Sequence, residues 1–271
     1  MSARVALLRF PGVNCETETA RALESAGARV DWIRHGAELD PDLFDGFVLP
    51  GGFSYEDRVR AGAVASRSPW MRALVDAEDR GKPVLGICNG AQVLVEAGLV
   101  PGTPGHPVRL ALAPNRGAGE GGYLCRWTWV EVLPSACTWL APLYGARWPV
   151  PVAHGEGRFT TRDPRLLAGI EAGPLRALRY VAPDGGPAEG TAFDPNGSVG
   201  CAAAACSEGG NVLALMPHPE RAAWLRQVPE GTAGEWGERR RAAGQAGALE
   251  APGPGQALFD AFVAAAAEVG R

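Results

Sequence analysis

The chain has 271 residues, 46% of them hydrophobic and 21% charged, with a formal net charge of −4. Such a length and composition suit one sizeable folded domain, and a slightly acidic balance without a long basic stripe argues against a nucleic-acid partner. No apolar run approaches the roughly 18 residues of a membrane span, and the early charges at Arg4 and Arg9 do not fit a signal peptide. The expected compartment is therefore the cytoplasm, with free thiols. None of the six cysteines forms a Cys-x-x-Cys pair or a Cys/His cluster of zinc spacing, so no metal site is expected.

Residues 5–10 read as a buried strand, followed by a turn at Pro11-Gly12 and a helix over 16–26 that stops before Gly27. Further strands are expected at 28–33, at 46–49 running into Pro50-Gly51-Gly52, and at 84–87, with helices at 69–79 and 91–97. This alternation predicts an α/β fold, flavodoxin-like, with a mostly parallel sheet covered by helices on both faces. Right-handed crossovers gather the loops after the strands on one rim, where such sheets bind ligands. The glycine-rich stretch 115–122 lacks a Gly-x-x-x-x-Gly-Lys pattern and reads as a loop. Strand-like runs at 126–132, 150–153 and 177–181, separated by Gly/Pro-rich turns, predict an antiparallel or mixed extension of the sheet. A short strand at 211–215 leads into Met216-Pro217-His218-Pro219-Glu220. Residues 228–256 are rich in Gly, Ala, Glu and Arg and read as a mobile insertion in a single domain spanning 1–271, with Arg239-Arg240-Arg241 a solvated surface. A helix over 257–269 closes the chain.

The strongest chemical signal is Gly86-Ile87-Cys88-Asn89-Gly90, between a β-branched strand and a helix. It is the cysteine counterpart of the Gly-x-Ser-x-Gly elbow, whose turn is too tight for side chains at the two glycines. Such an elbow sets the thiol on the sheet rim at a helix N-terminus, where free N–H groups and the helix dipole favour a thiolate. The competing reading, a buried structural thiol, prevails for most cysteines, and the strand–elbow–helix context reverses it here. Cys15 also follows a strand and a turn and is the one serious competitor. The amide of Asn89 with that of Gly51 or Gly52 would form an oxyanion hole, although Pro-Gly-Gly serves equally well as a plain turn. His218 with Glu220 has the spacing of a base and its orienting carboxylate. His154 with Glu156 has the same spacing, and spacing alone does not separate the two pairs.

Taken together, these segments resemble the class I (triad) glutamine amidotransferases, and within them the glutaminase components of phosphoribosylformylglycinamidine synthases. The resemblance is carried, in family order, by Arg9-Phe10-Pro11-Gly12-Val13-Asn14-Cys15, Pro50-Gly51-Gly52-Phe53-Ser54-Tyr55, the Cys88 elbow, His154-Gly155-Glu156-Gly157-Arg158, Asp194-Pro195-Asn196-Gly197-Ser198 and Pro217-His218-Pro219-Glu220-Arg221. Many members have Gly where Glu56 stands. The resemblance implies a Cys88, His218 and Glu220 triad, and glutamine as substrate. It implies a substrate-holding role for Gln92, and a glutamine-pocket or partner-facing role for His154, Glu156 and Arg158. It also implies a large formylglycinamidine ribonucleotide synthetase partner that binds ATP and Mg²⁺, a small accessory subunit, and no cofactor on this chain. The rival expectations are another triad amidotransferase or γ-glutamyl peptidase on the same fold, and a non-catalytic binding module that kept the scaffold.

Overall fold

The computed structural model describes residues 2–116 and 122–270. Of the expected loop at 115–122, residues 117–121 lie outside the described residues. The first half alternates as the hydrophobic pattern requires, with β1 (Arg4–Arg9), α1 (Glu16–Ser25), β2 (Arg29–Arg34), β3 (Gly46–Leu49), α2 (Trp70–Asp79), β4 (Val84–Ile87) and α3 (Asn89–Glu96). It continues with β5 (Ala111–Ala113), β6 (Leu124–Val132), β7 (Arg147–His154), β8 (Arg158–Thr160), α4 (Pro164–Glu171), β9 (Arg176–Val181), β10 (Ala202–Cys206), β11 (Val212–Leu215), α5 (Gly234–Gln245) and α6 (Gln256–Val269).

Among the described residues one nine-stranded sheet has the order β2-β1-β3-β4-β11-β10-β9-β6-β7, and β5 and β8 form a separate pair. Strands β2, β1, β3, β4 and β11 run parallel, and β10, β9, β6 and β7 continue the sheet antiparallel. Every residue of β3, β4, β10 and β11 is buried, as strands covered on both faces must be. Helix α6 closes one face: Phe262 and Ala266 lie where a side chain at Gly46 would go, and Gln256 Nε2 donates to the Ala22 carbonyl of α1 at 3.0 Å.

Two segments carry structure that the sequence reading did not place. The run Ala202-Ala203-Ala204-Ala205-Cys206 has a helix-forming composition, yet it is β10. Its small side chains fit between β9 and β11 where both faces are covered, and that placement outweighs local propensity. Within 228–256 the structure holds a 12-residue helix, α5, with only Gly237 and Ala243 buried. The base of this segment is fastened by Leu225 N to Ala251 O (3.0 Å), Arg226 N to Leu249 O (2.9 Å) and Gly253 N to Ala223 O (2.7 Å). It thus leaves and rejoins the body just after His218. In the arginine run on α5, Arg239 and Arg241 are exposed and Arg240 is half-buried against Glu230; Arg239 pairs with Glu235 and stacks over Trp236. No helix among the described residues is long and apolar enough to cross a membrane.

Candidate active site

The parallel strands β3, β4 and β11 end on one rim. Cys88 follows β4 directly and takes φ 49°, ψ −103°, a strained conformation for a side chain larger than glycine. The neighbours enforce it. A Cβ on Gly86 would lie 2.6 Å from Gly90 O, and one on Gly90 would lie 2.0 Å from Leu49 O. Cys88 N donates to Leu215 O of β11 at 2.7 Å, and Gln92 N donates to Cys88 O at 3.0 Å as α3 begins. The nucleophile candidate is thus pinned between two strands and a helix N-terminus, with 5% of its surface exposed.

His218 lies three residues beyond the end of β11, and its N–H donates to Pro151 O of β7 at 2.9 Å. Its Nδ1 lies 2.6 Å from Glu220 Oε1, and both side chains are buried. Nδ1 therefore carries the proton toward the carboxylate, and Nε2, with no partner of its own, is left for chemistry. Burial disfavours the imidazolium. The charges of Glu220 and Cys88 outweigh burial and hold His218 well above its ordinary range.

His154 has another environment. Its Nδ1 lies 3.1 Å from Asn115 Oδ1, which also accepts from Gly157 N at 3.1 Å. Burial, reinforced by the charge of His218, pushes it down to about 3, so it stays neutral at working pH. The two histidines thus differ in their surroundings: one is oriented by a buried carboxylate, the other by an amide.

Two small cavities meet at Cys88. Both are lined by Gly52, Phe53, Tyr123 and Ala153. The larger, about 180 Å³, adds Asp57, Gln92, His154 and Glu156. The smaller, about 100 Å³, adds Asn14, Cys15, His218 and Arg221. Cys88 Sγ donates to Ala153 O at 3.5 Å, and Tyr123 Oη donates to the same carbonyl at 3.1 Å. Gln92 Nε2 donates to Glu156 O at 2.8 Å, which draws the 154–157 turn onto α3. Asn89 Oδ1 accepts from Ser54 N at 3.0 Å, and its Nδ2 donates to Gln92 Oε1 at 3.0 Å.

The expected residues are not all brought together. Gly52, at φ +142°, lines both cavities, and a Cβ there would lie 2.5 Å from Val13 Cα. Gly51 packs instead against the base: its Cβ would lie 2.8 Å from His218 Cε1 and 3.2 Å from Cys15 Sγ. Arg158 points elsewhere. Its Nε donates to Pro114 O at 3.1 Å, and it lines neither cavity. Sequence reading missed Asp57, Phe53, Tyr123 and Arg221. The Phe-Ser-Tyr block that precedes Asp57 was the available signal for the first two. It also missed that Cys15 Sγ lies 3.9 Å from His218 Nδ1, a contact between residues 203 positions apart.

A parallel sheet carrying a cysteine elbow beside a buried histidine–glutamate pair has the arrangement of a triad-type enzyme that works through an acyl thioester. The family model of the CobB/CobQ-like glutamine amidotransferase domain matches residues 2–261. The phosphoribosylformylglycinamidine synthase subunit PurQ of Methanothrix thermoacetophila is 39% identical, over 96% of both chains. That of Thermus thermophilus is 44% identical over 81% of this chain and 89% of its own. A chain in the structure of PurLQS from Thermotoga maritima superposes with a TM-score of 0.65 at 33% identity, covering 90% of this chain and 97% of that one. The chain therefore belongs to the CobB/CobQ-like glutamine amidotransferase family, in its phosphoribosylformylglycinamidine synthase PurQ branch.

Proposed function

We propose that this chain is the glutaminase subunit of a phosphoribosylformylglycinamidine synthase, with Cys88 as nucleophile, His218 as acid and base, and Glu220 as the carboxylate that orients it. The observation that carries the reading is the strained Cys88 elbow beside the 2.6 Å His218–Glu220 pair. Glutamine occupies the larger cavity, where Asp57 and Glu156 supply negative charge for its ammonium group and Gln92 holds the turn that bears Glu156. The Cys88 thiolate adds to the side-chain carboxamide, and the amides of Gly52 and Asn89 receive the oxyanion. Collapse of the adduct breaks the C–N bond as His218 donates its proton to the leaving nitrogen. This releases ammonia and leaves a γ-glutamyl thioester. Water then adds with His218 Nε2 as base, and glutamate departs as the thiolate re-forms.

Ammonia passes to a large ATP- and Mg²⁺-dependent synthetase subunit, which forms the amidine of formylglycinamide ribonucleotide with a small accessory subunit in the assembly. The related structure of PurLQS from Thermotoga maritima supports such an assembly. A diazoketone analogue of glutamine tests the assignment. It should label one cysteine, Cys88, and Cys88→Ala should lose both labelling and glutamine hydrolysis. In complex with the synthetase, that variant should still make amidine from free ammonia. Normal hydrolysis by Cys88→Ala would overturn the assignment.

A further inference from the structure

We propose that Cys15, His218 and Glu220 form an inhibitory site for a thiophilic divalent cation of the zinc type, one that switches off the glutaminase by capturing its base. The consequence for activity rests on the function proposed above; the site itself does not. One thiol sulfur, one imidazole nitrogen and one carboxylate oxygen lie within 4.8 Å of one another, and all three residues are buried. That mixed sulfur, nitrogen and oxygen set suits zinc, which takes Cys, His and carboxylate ligands and keeps a fourth position for water.

The separations are close to what coordination needs. Bonds of about 2.0–2.3 Å in a tetrahedron set ligand atoms roughly 3.2–3.6 Å apart. Here Cys15 Sγ and His218 Nδ1 are 3.9 Å apart, and His218 Nδ1 and Glu220 Oε1 are 2.6 Å apart. Closure of roughly half an ångström between Cys15 and His218, opening of roughly 0.6–1.0 Å between His218 and Glu220, and a closer approach of Cys15 to Glu220 from within 4.8 Å complete the site. A second observation points to a ligand: Glu220 Oε2 is fully buried without a hydrogen-bond partner, an unusual state for a carboxylate oxygen. The smaller cavity, lined by Cys15 and His218 beside Cys88, supplies the access and the room for the fourth ligand.

One group opposes the cation. Arg221 donates from Nη2 to Cys15 Sγ at 3.0 Å. Its side chain is partly exposed, and its Nε already lies 3.5 Å from Glu18 on the other side, so it has a place to turn. On binding to the imidazolium form of His218, the metal takes the place of its Nδ1 proton and of the Cys15 thiol proton, and both leave to solvent. His218 then keeps only its Nε2–H. It cannot accept a proton from the attacking water, and Glu220 no longer orients it.

Calorimetric titration of the full-length Cys88→Ser chain with Zn²⁺ tests the site without the nucleophile as a competing ligand. One equivalent should bind, and the Cys88→Ser/Cys15→Ser double variant should bind at least tenfold more weakly. Co²⁺ in the Cys88→Ser chain should give the near-ultraviolet sulfur-to-cobalt charge-transfer band, and the double variant should lose it. In the Cys88-containing chain, Zn²⁺ should inhibit glutamine hydrolysis, and in Cys15→Ser the inhibition constant, measured against that variant's own zinc-free rate, should rise at least tenfold. Equal zinc affinity in the single and double variants, or no charge-transfer band, would overturn the site and leave the glutaminase reading intact. Tight binding through Cys15 with no inhibition would overturn the capture of the base.

Discussion

Glu156 and Glu220 each follow a histidine by two positions, and their surroundings assign them different work. Glu220 is fully buried with its oxygen 2.6 Å from His218 Nδ1, whereas Glu156 offers its backbone carbonyl to Gln92 and lines the larger cavity. His154, which Glu156 was positioned to serve, binds Asn115 instead. Glu220→Gln should therefore strike turnover. A neutral amide accepts from Nδ1 but does not stabilise imidazolium. Loss of the carboxylate in a serine protease costs on the order of 10⁴-fold, and a cysteine enzyme with its more acidic nucleophile should lose less. Glu156→Gln should raise the half-saturation constant more than it lowers turnover. Steady-state glutamine hydrolysis by both variants in the assembled complex separates the two effects. Destroyed turnover in Glu156→Gln with turnover intact in Glu220→Gln would reverse the assignment.

At the scale of elements, what was legible in the sequence follows from where each requirement lies. The elbow could be read because strand, Gly-x-Cys-x-Gly and helix are contiguous, and the structure shows Gly90 blocked by Leu49 O as that reading requires. β10 could not, because an alanine run becomes a strand only between β9 and β11. Cys15 beside His218, and Gly51 as a packing surface for the imidazole, come from folding distant segments together. The segment after Pro50-Gly51-Gly52 was legible only in part. Tyr55, Glu56, Asp57 and Val59 take φ of 53°, 58°, 52° and 73°, a run of left-handed residues that sequence alone does not announce. Each costs on the order of 1 kcal/mol. Glu56→Gly should relieve that strain, offset in large part by the greater freedom of glycine in the unfolded chain, for a net gain of about 0.5 kcal/mol at most in denaturant unfolding. A loss of stability would show that Glu56 is better accommodated than its φ implies. The same run carries Asp57 into the larger cavity and follows Gly52, so under the proposed function a partner that settles it would complete the site. Glutamate release should accordingly be slow in the isolated chain and faster in the complex, and equal rates would remove the idea.

For the whole molecule, the two buried histidines make stability depend on pH in separate windows. His154 is pushed from an ordinary 6.5 down to about 3, by burial first and then by the charge of His218. Between those values the unfolded chain binds a proton that the folded chain refuses, so stability falls as pH drops through the window. His218 is raised well above 6.5, burial being outweighed by Glu220 and Cys88. Its contribution is complete below 6.5 and is lost only as pH rises through the folded value, so it adds no slope on the acid side. Glu78, raised to about 7 by burial, releases part of that burial cost on acidification and opposes the His154 term. Comparing variants at one site cancels it. From pH 6.5 to 5 the His154 term amounts to about 2 kcal/mol at most, at roughly 1.4 kcal/mol per pH unit. His154→Gln removes the titrating group while keeping a side chain able to bond Asn115. It should lose absolute stability at pH 8, because the imidazole fills the space against Gly157 that a Cβ there would occupy. Between pH 6.5 and 5, however, it should lose less stability than the parent chain, by about that 2 kcal/mol. Denaturant melts of both proteins at the two pH values give the comparison. Parallel loss in both would mean that His154 becomes protonated in the folded chain near its ordinary pH, and that the amide environment does not keep it neutral.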